Sequence, residues 1–580
     1  MKPALSTVRS APIWYWLVER IWRVEHAFER AKARRTDQDT PVRIFFVAAL
    51  FAAGFLTLTV AAATRVIFAD RDHGVAESAV EPRADLTDRN GRLLAVDMVH
   101  YDLYLDRREI YDTGETRRKL GAVLSPQDAA RIPQVLARGQ RGILVSGLTP
   151  DEAARIRDMG LPGVSFEPDE RRLYPMGAVA AHLVGASEKQ GGRGTSGSER
   201  ALDKLIVEEG ALGKQVPLSV DVRVQAVVEE ELHKAVADMQ ALGGVGIVVD
   251  VHTGEILALA SDPDFDPNQV GASSYNAQYN RAVAGRYELG SVMKMFTIAM
   301  ALDSHTVNLD TLFDCAHPYM IGTRAIHDLH SAGRSLTVAE VFTHSSNVGA
   351  ARIGALAGRD TLMRYFRAFG LFNAAPIELV ESARPQLPAK WTESDLASVA
   401  FGHGISMSPL SLAHGAIALF NGGESIPLTI RKADPKNPPK GVRVISPQTS
   451  ELMLQLMRRN VIEGTGKRAD APGLSVGGKT GTGEKPEHGG IARHKVMASF
   501  ASVFPTEGAL ADPRYLVLIS IDEPNSALGP VTAVTTAAPV AGRVIDRIAP
   551  FLGVQRKPVQ PLQQPIAGPP AEELGGGEDQ

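Results

Sequence analysis

Residues 287–297 read YELGSVMKMFT and place a serine hydroxyl, Ser291, three residues before an amine, Lys294. Residues three apart on a helix share a face, so the amine can reach the hydroxyl. A serine hydroxyl attacks poorly unless a neighbouring group takes its proton. Lysine becomes a usable base when burial and a nearby cation depress its pKa. The bland alternative makes Gly290 a turn, Ser291 a helix cap and Lys294 a solvated side chain. Ser-x-x-Lys cannot decide by itself, because a pattern with two fixed positions recurs by chance in a long chain.

Two later stretches favour the chemistry. HSSNVG supplies Ser345, Ser346 and Asn347, and GGKTGTGE supplies Lys479, Thr480, Gly481 and Thr482. Ser345 suits proton relay, and Asn347 suits hydrogen bonding to the base or to a substrate amide. Lys479 is a cation able to hold Lys294 neutral. With Thr480 and Thr482 it also offers a positive charge and two hydroxyls to a substrate carboxylate. Gly481 has no side chain, which leaves room for a substrate against a strand. The Ser291 N–H, at a helix start, can face a developing oxyanion, where one such donor is typically worth about 3 kcal/mol. Ser291, Lys294, Ser345 and Asn347 are thus the candidate catalytic groups, and Lys479, Thr480, Gly481 and Thr482 the candidate substrate-binding groups.

Two other patterns compete. GLSVGGKT, residues 473–480, satisfies the nucleotide-binding pattern G-x-x-x-x-G-K-[ST]. A phosphate loop must run into a helix whose N-terminus holds the anion. Here Gly481, Gly483 and Pro486 follow, and they do not propagate a helix. His327 and His330 in AIHDLHSAG lack the spacing of a strong zinc motif, and no third ligand is evident.

The elements that must position these residues come from a chain of 580 residues, enough for more than one domain. It is 44% hydrophobic and 22% charged, a globular composition. A formal net charge of -4 gives no sign of a nucleic-acid partner. The one cysteine, Cys315, excludes an intramolecular disulfide and a thiolate metal cage, and reads as a small buried hydrophobe.

Ile44–Thr64 is 21 residues without a charge between Arg43 and Arg65, long enough to cross a bilayer as a helix. A secretory signal has a short basic leader, whereas this leader runs 43 residues, so an uncleaved anchor is expected despite Ala61 and Ala63. The excess of Arg and Lys before it keeps the N-terminus cytoplasmic and sends the bulk of the chain outward. Within 1–43, Trp14, Leu17, Val18, Ile21 and Phe28 recur at helical spacing and suggest a helix lying at the membrane interface.

Residues 65–216 read as short mixed segments. An Asn-Gly turn falls in TDRNGRLLA, HYDLYLD alternates as a strand, and helical stretches are expected between 125 and 160. GIVVDV, HTG and EILALAS then form a hairpin that opens a domain at 217–552. Residues 553–580, rich in Pro, Gln and Gly, read as a disordered tail.

Ser-x-x-Lys, Ser-x-Asn and Lys-Thr-Gly in this order are the signature of penicillin-binding proteins and related β-lactamases. The chain resembles the class B penicillin-binding proteins. YELGSVMKMFT is similar to their YEPGSxxKPFT, with Leu289 and Met295 replacing two prolines. HDLHSAG, LTVAEVFTHSSNVG, FGHGISMSPLSLA and LSVDVRVQ are similar to other family segments. DRNG, RRLYPMGAVAAHLVG and GTSGSERALD resemble motifs of the family's non-catalytic pedestal. There Ala84 stands where Gly is usual, and Ser198 where an apolar residue is usual.

The resemblance implies an α/β (α+β) architecture. It would comprise a single transmembrane helix at 44–64, an elongated pedestal at 65–216 and a transpeptidase domain at 217–552 with an antiparallel sheet flanked by helices. It implies a serine D,D-transpeptidase of the inner membrane with a periplasmic catalytic domain, cross-linking D-Ala-D-Ala stem peptides of peptidoglycan through an acyl-serine, acylated by β-lactams and needing no cofactor. No glycosyltransferase domain is expected, so a membrane glycosyltransferase of the SEDS type, with other divisome proteins, would be its partner. VIEGTGKRA and the chain length resemble the division-specific group, with the elongation-specific group as the alternative. A membrane-bound β-lactam-sensing receptor is a second alternative, disfavoured by the pedestal and by a cytoplasmic segment too short for a signalling enzyme.

Overall fold

The structure, a computed structural model, describes residues 47–60, 82–188, 192–487 and 490–558. The interfacial helix expected before residue 44 and nearly all of the C-terminal tail lie outside the described residues. Two units are distinguished, Met1–Val80 and Glu81–Gln580. In the first, residues 47–60 are helical with exposed apolar side chains such as Phe51 and Phe55. Among the described residues no helix is long and apolar enough to cross a membrane.

The second unit begins with a sheet organised by the 14-residue strand Leu93–Asp106. That strand pairs antiparallel with Leu86–Thr87, Arg141–Leu148 and Val164–Leu173, and Leu86–Thr87 pairs parallel with Val216–Pro217. The turn after Thr87 is the one Asn-Gly signals. Leu103, Leu105, Leu120, Ile132, Leu144 and Ile156 form a core local to this region. The expected helices appear at Pro126–Ala129, Ile132–Ala137 and Pro150–Arg157, but Arg141–Leu148 between them is a strand. Its short run, RGILVSGL, is too brief to show a period, and pairing with Tyr101–Asp106 decides its conformation.

Below this region three charged side chains are buried together. The Glu199 carboxylate accepts from Arg83 and from Arg172, each at 2.7 Å. A buried carboxylate is tolerated when both oxygens are paired. The two departures from the pedestal pattern fit here. The Ala84 carbonyl accepts from Arg172 Nη2 at 2.8 Å, and the Ser198 hydroxyl donates to the Leu183 carbonyl at 2.7 Å. Ala84, Leu86, Leu183 and Ile206 share one core with Val245 and Phe296, so the region around Glu199 and the sheet that follows pack as a continuous interior.

That domain is built on a five-stranded antiparallel sheet. From the edge inward it runs Gly477–Glu487, Gly490–Phe504, Tyr515–Asp522 and Gly243–Asp250, and it ends at Ile256–Asp262. The hairpin read from GIVVDV and EILALAS is present, and the C-terminal strands pair onto it. Helices Val222–Asp238 and Ala537–Ile548 cover one face through residues such as Val228, Val544 and Ile545 against Val248 and Val517. A bundle that includes helices Lys294–Asp303, Asn347–Ala357, Pro409–Ile417 and Pro447–Ile462 covers the other. The α+β arrangement of an antiparallel sheet flanked by helices is therefore observed. Helix Lys294–Asp303 is buried nearly all round, as its apolar run KMFTIAMALD requires. Cys315 is buried.

Candidate active site

Ser291 lies not in the α-helix but in a 3₁₀ turn, Gly290–Met293, that leads into it at Lys294. Three residues per turn stack positions i and i+3, which brings the two side chains together even more directly than an α-helix would. Lys294 Nζ is 3.1 Å from Ser291 Oγ. Leu289 and Met295, at the two positions where the family carries proline, are both buried.

Ser345 and Asn347 come from the turn that starts helix Asn347–Ala357. Ser345 adopts a left-handed φ of 58°, and Ser346 caps the helix by accepting from Gly349 N at 2.9 Å. Lys294 Nζ donates to the Ser345 carbonyl at 2.5 Å and to Asn347 Oδ1 at 2.8 Å, and lies 3.3 Å from Ser345 Oγ. Lys479 arrives from the edge strand and donates to Ser345 Oγ at 2.8 Å and to the Thr480 carbonyl at 3.1 Å. Ser345 Oγ thus sits between two amines. Thr480 Oγ1 meets Thr465 Oγ1 at 2.7 Å, and Thr482 Oγ1 accepts from Ala533 N at 3.2 Å.

GLSVGGKT runs into this strand rather than into a helix, so it lacks the helix N-terminus that a phosphate loop requires. His327 and His330 lie on the loop before Ser335–Thr337; among the described residues no group of three or more His, Cys, Asp or Glu is placed to hold a metal.

Gly481 plays a different part from the one its sequence suggests. A Cβ there would lie 2.3 Å from the Leu289 carbonyl oxygen and 2.8 Å from Val292 N. The space beside it holds the Ser291 turn rather than a substrate. Gly290, with φ +62°, completes the contact, since a Cβ on it would lie 2.5 Å from the Thr482 carbonyl. Bare backbone on both sides lets the edge strand and the serine turn touch.

The electrostatics follow from burial. Lys294 and Lys479 are both fully buried. Burial, and then the charge of Lys479, hold the Lys294 amine well below the usual lysine range. Burial alone brings Lys479 down to about 7. A neutral lysine amine keeps two N–H groups and one lone pair. The Ser345 carbonyl and Asn347 Oδ1 accept only, so they take the two N–H groups and leave the lone pair for a hydroxyl. Ser291, at 3.1 Å, can then donate its proton to Lys294.

Sequence reasoning missed the groups that hold this cluster. Asn460 Nδ2 donates to the Gly478 carbonyl at 2.7 Å, and its Oδ1 accepts from Thr465, which in turn contacts Thr480. Asp328 accepts from Ser346 and from the first N–H groups of helix Asn347–Ala357. His403, near Lys294, is held below the usual histidine range by burial, Lys294 and Arg324. These residues fall in loops or on helix faces without a pattern of their own; only the family-like segments VIEGTGKRA, HDLHSAG and FGHGISMSPLSLA pointed near them.

The chain matches two family models, "Penicillin binding protein transpeptidase domain" over residues 244–546 and "Penicillin-binding Protein dimerisation domain" over 78–207. It belongs to the class B penicillin-binding proteins. This penicillin-binding protein is 48% identical over 559 residues to the "Probable peptidoglycan D,D-transpeptidase FtsI" of Caulobacter vibrioides, covering 94% of this chain and 95% of that one. It is 29% identical over 506 residues to the "Peptidoglycan D,D-transpeptidase FtsI" of Escherichia coli, covering 82% and 84%. Among solved structures it resembles the transpeptidase domain of Burkholderia pseudomallei penicillin-binding protein 3. The TM-score is 0.53 at 30% identity, over 59% of this chain and 97% of that one.

Proposed function

We propose that Ser291 is the acyl-carrying nucleophile of this peptidoglycan D,D-transpeptidase and that Lys294 is its base. The observation that carries this reading is the buried amine of Lys294, with both N–H groups committed to acceptors and Ser291 Oγ at 3.1 Å. Ser291 Oγ bonds to the carbonyl carbon between the two D-Ala residues as its proton passes to Lys294 Nζ. The C–N bond then breaks, and the departing D-Ala amine takes a proton through Ser345, which lies between Lys294 and Lys479. An amine of a second stem peptide attacks the acyl-serine ester, gives up its proton along the same route and leaves Ser291 free, with the cross-link made. Thr480, Thr482 and the charge of Lys479 receive the terminal carboxylate of the donor. A β-lactam ring opens onto Ser291 in the same way.

This cycle needs Lys294 neutral and Lys479 charged. Deprotonation of Lys294 switches the site on as pH rises, and loss of the Lys479 proton near its value of about 7 removes the carboxylate-binding charge. With a D-Ala-D-Ala-terminated stem pentapeptide and an acceptor amine, the full-length protein is expected to release D-Ala and form cross-linked peptide in equal amounts, with a bell-shaped dependence on pH. Activity that climbs without turning over through the alkaline range would contradict the role of Lys479.

Septal rather than lateral wall synthesis is the cellular role supported by the FtsI relatives. An anchor at 44–64 with the catalytic domain outside is supported by the charge-free run and by the exposed apolar helix at 47–60. A SEDS-type glycosyltransferase in the same membrane would supply the strands to be cross-linked. Depletion of the protein is expected to give filaments with blocked constriction; round cells dividing at normal frequency would instead place it in elongation.

A further inference from the structure

Asp328 sits in the loop between Arg324–Ile326 and Ser335–Thr337, in the stretch HDLHSAG, and the transfer steps above do not use it. Both of its oxygens accept hydrogen bonds. Oδ2 accepts from Ser346 Oγ at 2.6 Å, and Oδ1 accepts from Asn347 N at 2.5 Å and Val348 N at 2.9 Å. A carboxylate in that place meets unpaired N–H groups of a helix start and the positive end of the helix dipole. Ser345, Ser346 and Asn347 are consecutive, so the same loop contact sets where Ser345 Oγ and Asn347 Oδ1 stand. Those are two of the atoms around Lys294 Nζ.

We propose that Asp328 is a positioning residue for acylation: it fixes the Ser345–Asn347 turn against Lys294 and supplies a negative charge beside that buried amine. The groups around Lys294 are few. Lys479 faces it from the edge strand, Asp328 and Cys315 from the loops beside helix Asn347–Ala357, and His403 from the loop after helix Glu393–Phe401. Arg324 lies beyond His403, and Arg352 beyond Cys315. Burial and Lys479 push the amine towards its neutral form, and Asp328 opposes them, ahead of Cys315. Asp328 therefore raises the pH at which the base becomes available, and its hydrogen bonds to the Ser346–Val348 stretch hold the geometry in which that base acts.

The inference rests on Ser291 and Lys294 being the acylating pair, and the experiment separates the two claims. Full-length protein and its Asp328→Asn, Asp328→Glu and Asp328→Ala variants are reacted with a fluorescent penicillin from about pH 5 to about pH 10, with the labelled peptide identified in each digest. Asparagine keeps an acceptor for Asn347 N and Val348 N but removes the charge. Its acid limb is expected about half a pH unit or more below the native one, because Lys294 loses its proton more readily. Glutamate restores the charge and should return the limb to the native position. Alanine removes both effects and should lower the plateau about tenfold or more. Asp328→Ser, a smaller neutral acceptor, replaces the asparagine variant if that one fails to melt cooperatively. Profiles that differ from native only by a constant factor would reduce Asp328 to a structural cap and overturn its electrostatic part. Native rates in all variants would overturn the proposal outright, and label on a residue other than Ser291 in the native digest would overturn the underlying assignment as well.

Discussion

Ser291→Ala is expected to abolish penicillin labelling of the full-length protein, with no adduct detectable by intact mass at concentrations that acylate the native protein completely. The loss should be total rather than graded. Without the hydroxyl there is no atom to form the ester, and among the neighbours at Lys294 the other hydroxyl, Ser345, accepts from Lys479 at 2.8 Å and lies 3.3 Å from Lys294 Nζ. The fold should survive, because Ser291 sits in a turn held mainly by backbone contacts with Gly481 and Gly402. An unchanged melting temperature with no label is therefore the expected pair of results. An adduct on any other residue would move the nucleophile and remove the basis for the roles given to Lys294 and Ser345.

Lys294→Arg should lose acylation about as fully as Lys294→Ala, on the order of 10²–10⁴-fold in each case. Arginine keeps a positive charge at the site but stays protonated in proteins, so it cannot take the serine proton. If Lys294 only supplied charge, arginine would preserve much of the rate and alanine would not. The comparison is read from second-order acylation rates, with thermal melting to confirm that the buried site accepts the larger side chain. An arginine variant acylating within about tenfold of native would show that charge, rather than proton abstraction, is what the position provides.

Much of the fold was legible because it rests on local periodicity. The hairpin from GIVVDV and EILALAS, the strand in HYDLYLD and the buried helix after Lys294 each carry their pattern within one segment. Arg141–Leu148 was not legible as a strand, since eight residues without clear alternation take their conformation from the partner strand. The start of the serine helix was read one step too simply. The 3₁₀ turn that holds Ser291 is fixed by close backbone contact with Gly481, and no local propensity encodes that.

The sequence by itself determined which chemistry is possible. A serine and a lysine three residues apart, a Ser-x-Asn pair and a Lys-Thr-Gly strand point to acyl transfer, because reactive groups and helical spacing are local properties. The tertiary structure decided what makes those groups reactive. Only the fold brings Lys479 to Ser345, buries both amines, turns Gly481 towards the serine turn instead of a substrate, and places Asp328 under the start of a helix nineteen residues further along the chain. The physical reason is that pKa values and lone-pair directions depend on burial and on neighbours in space, and the chain acquires both only when its distant segments pack.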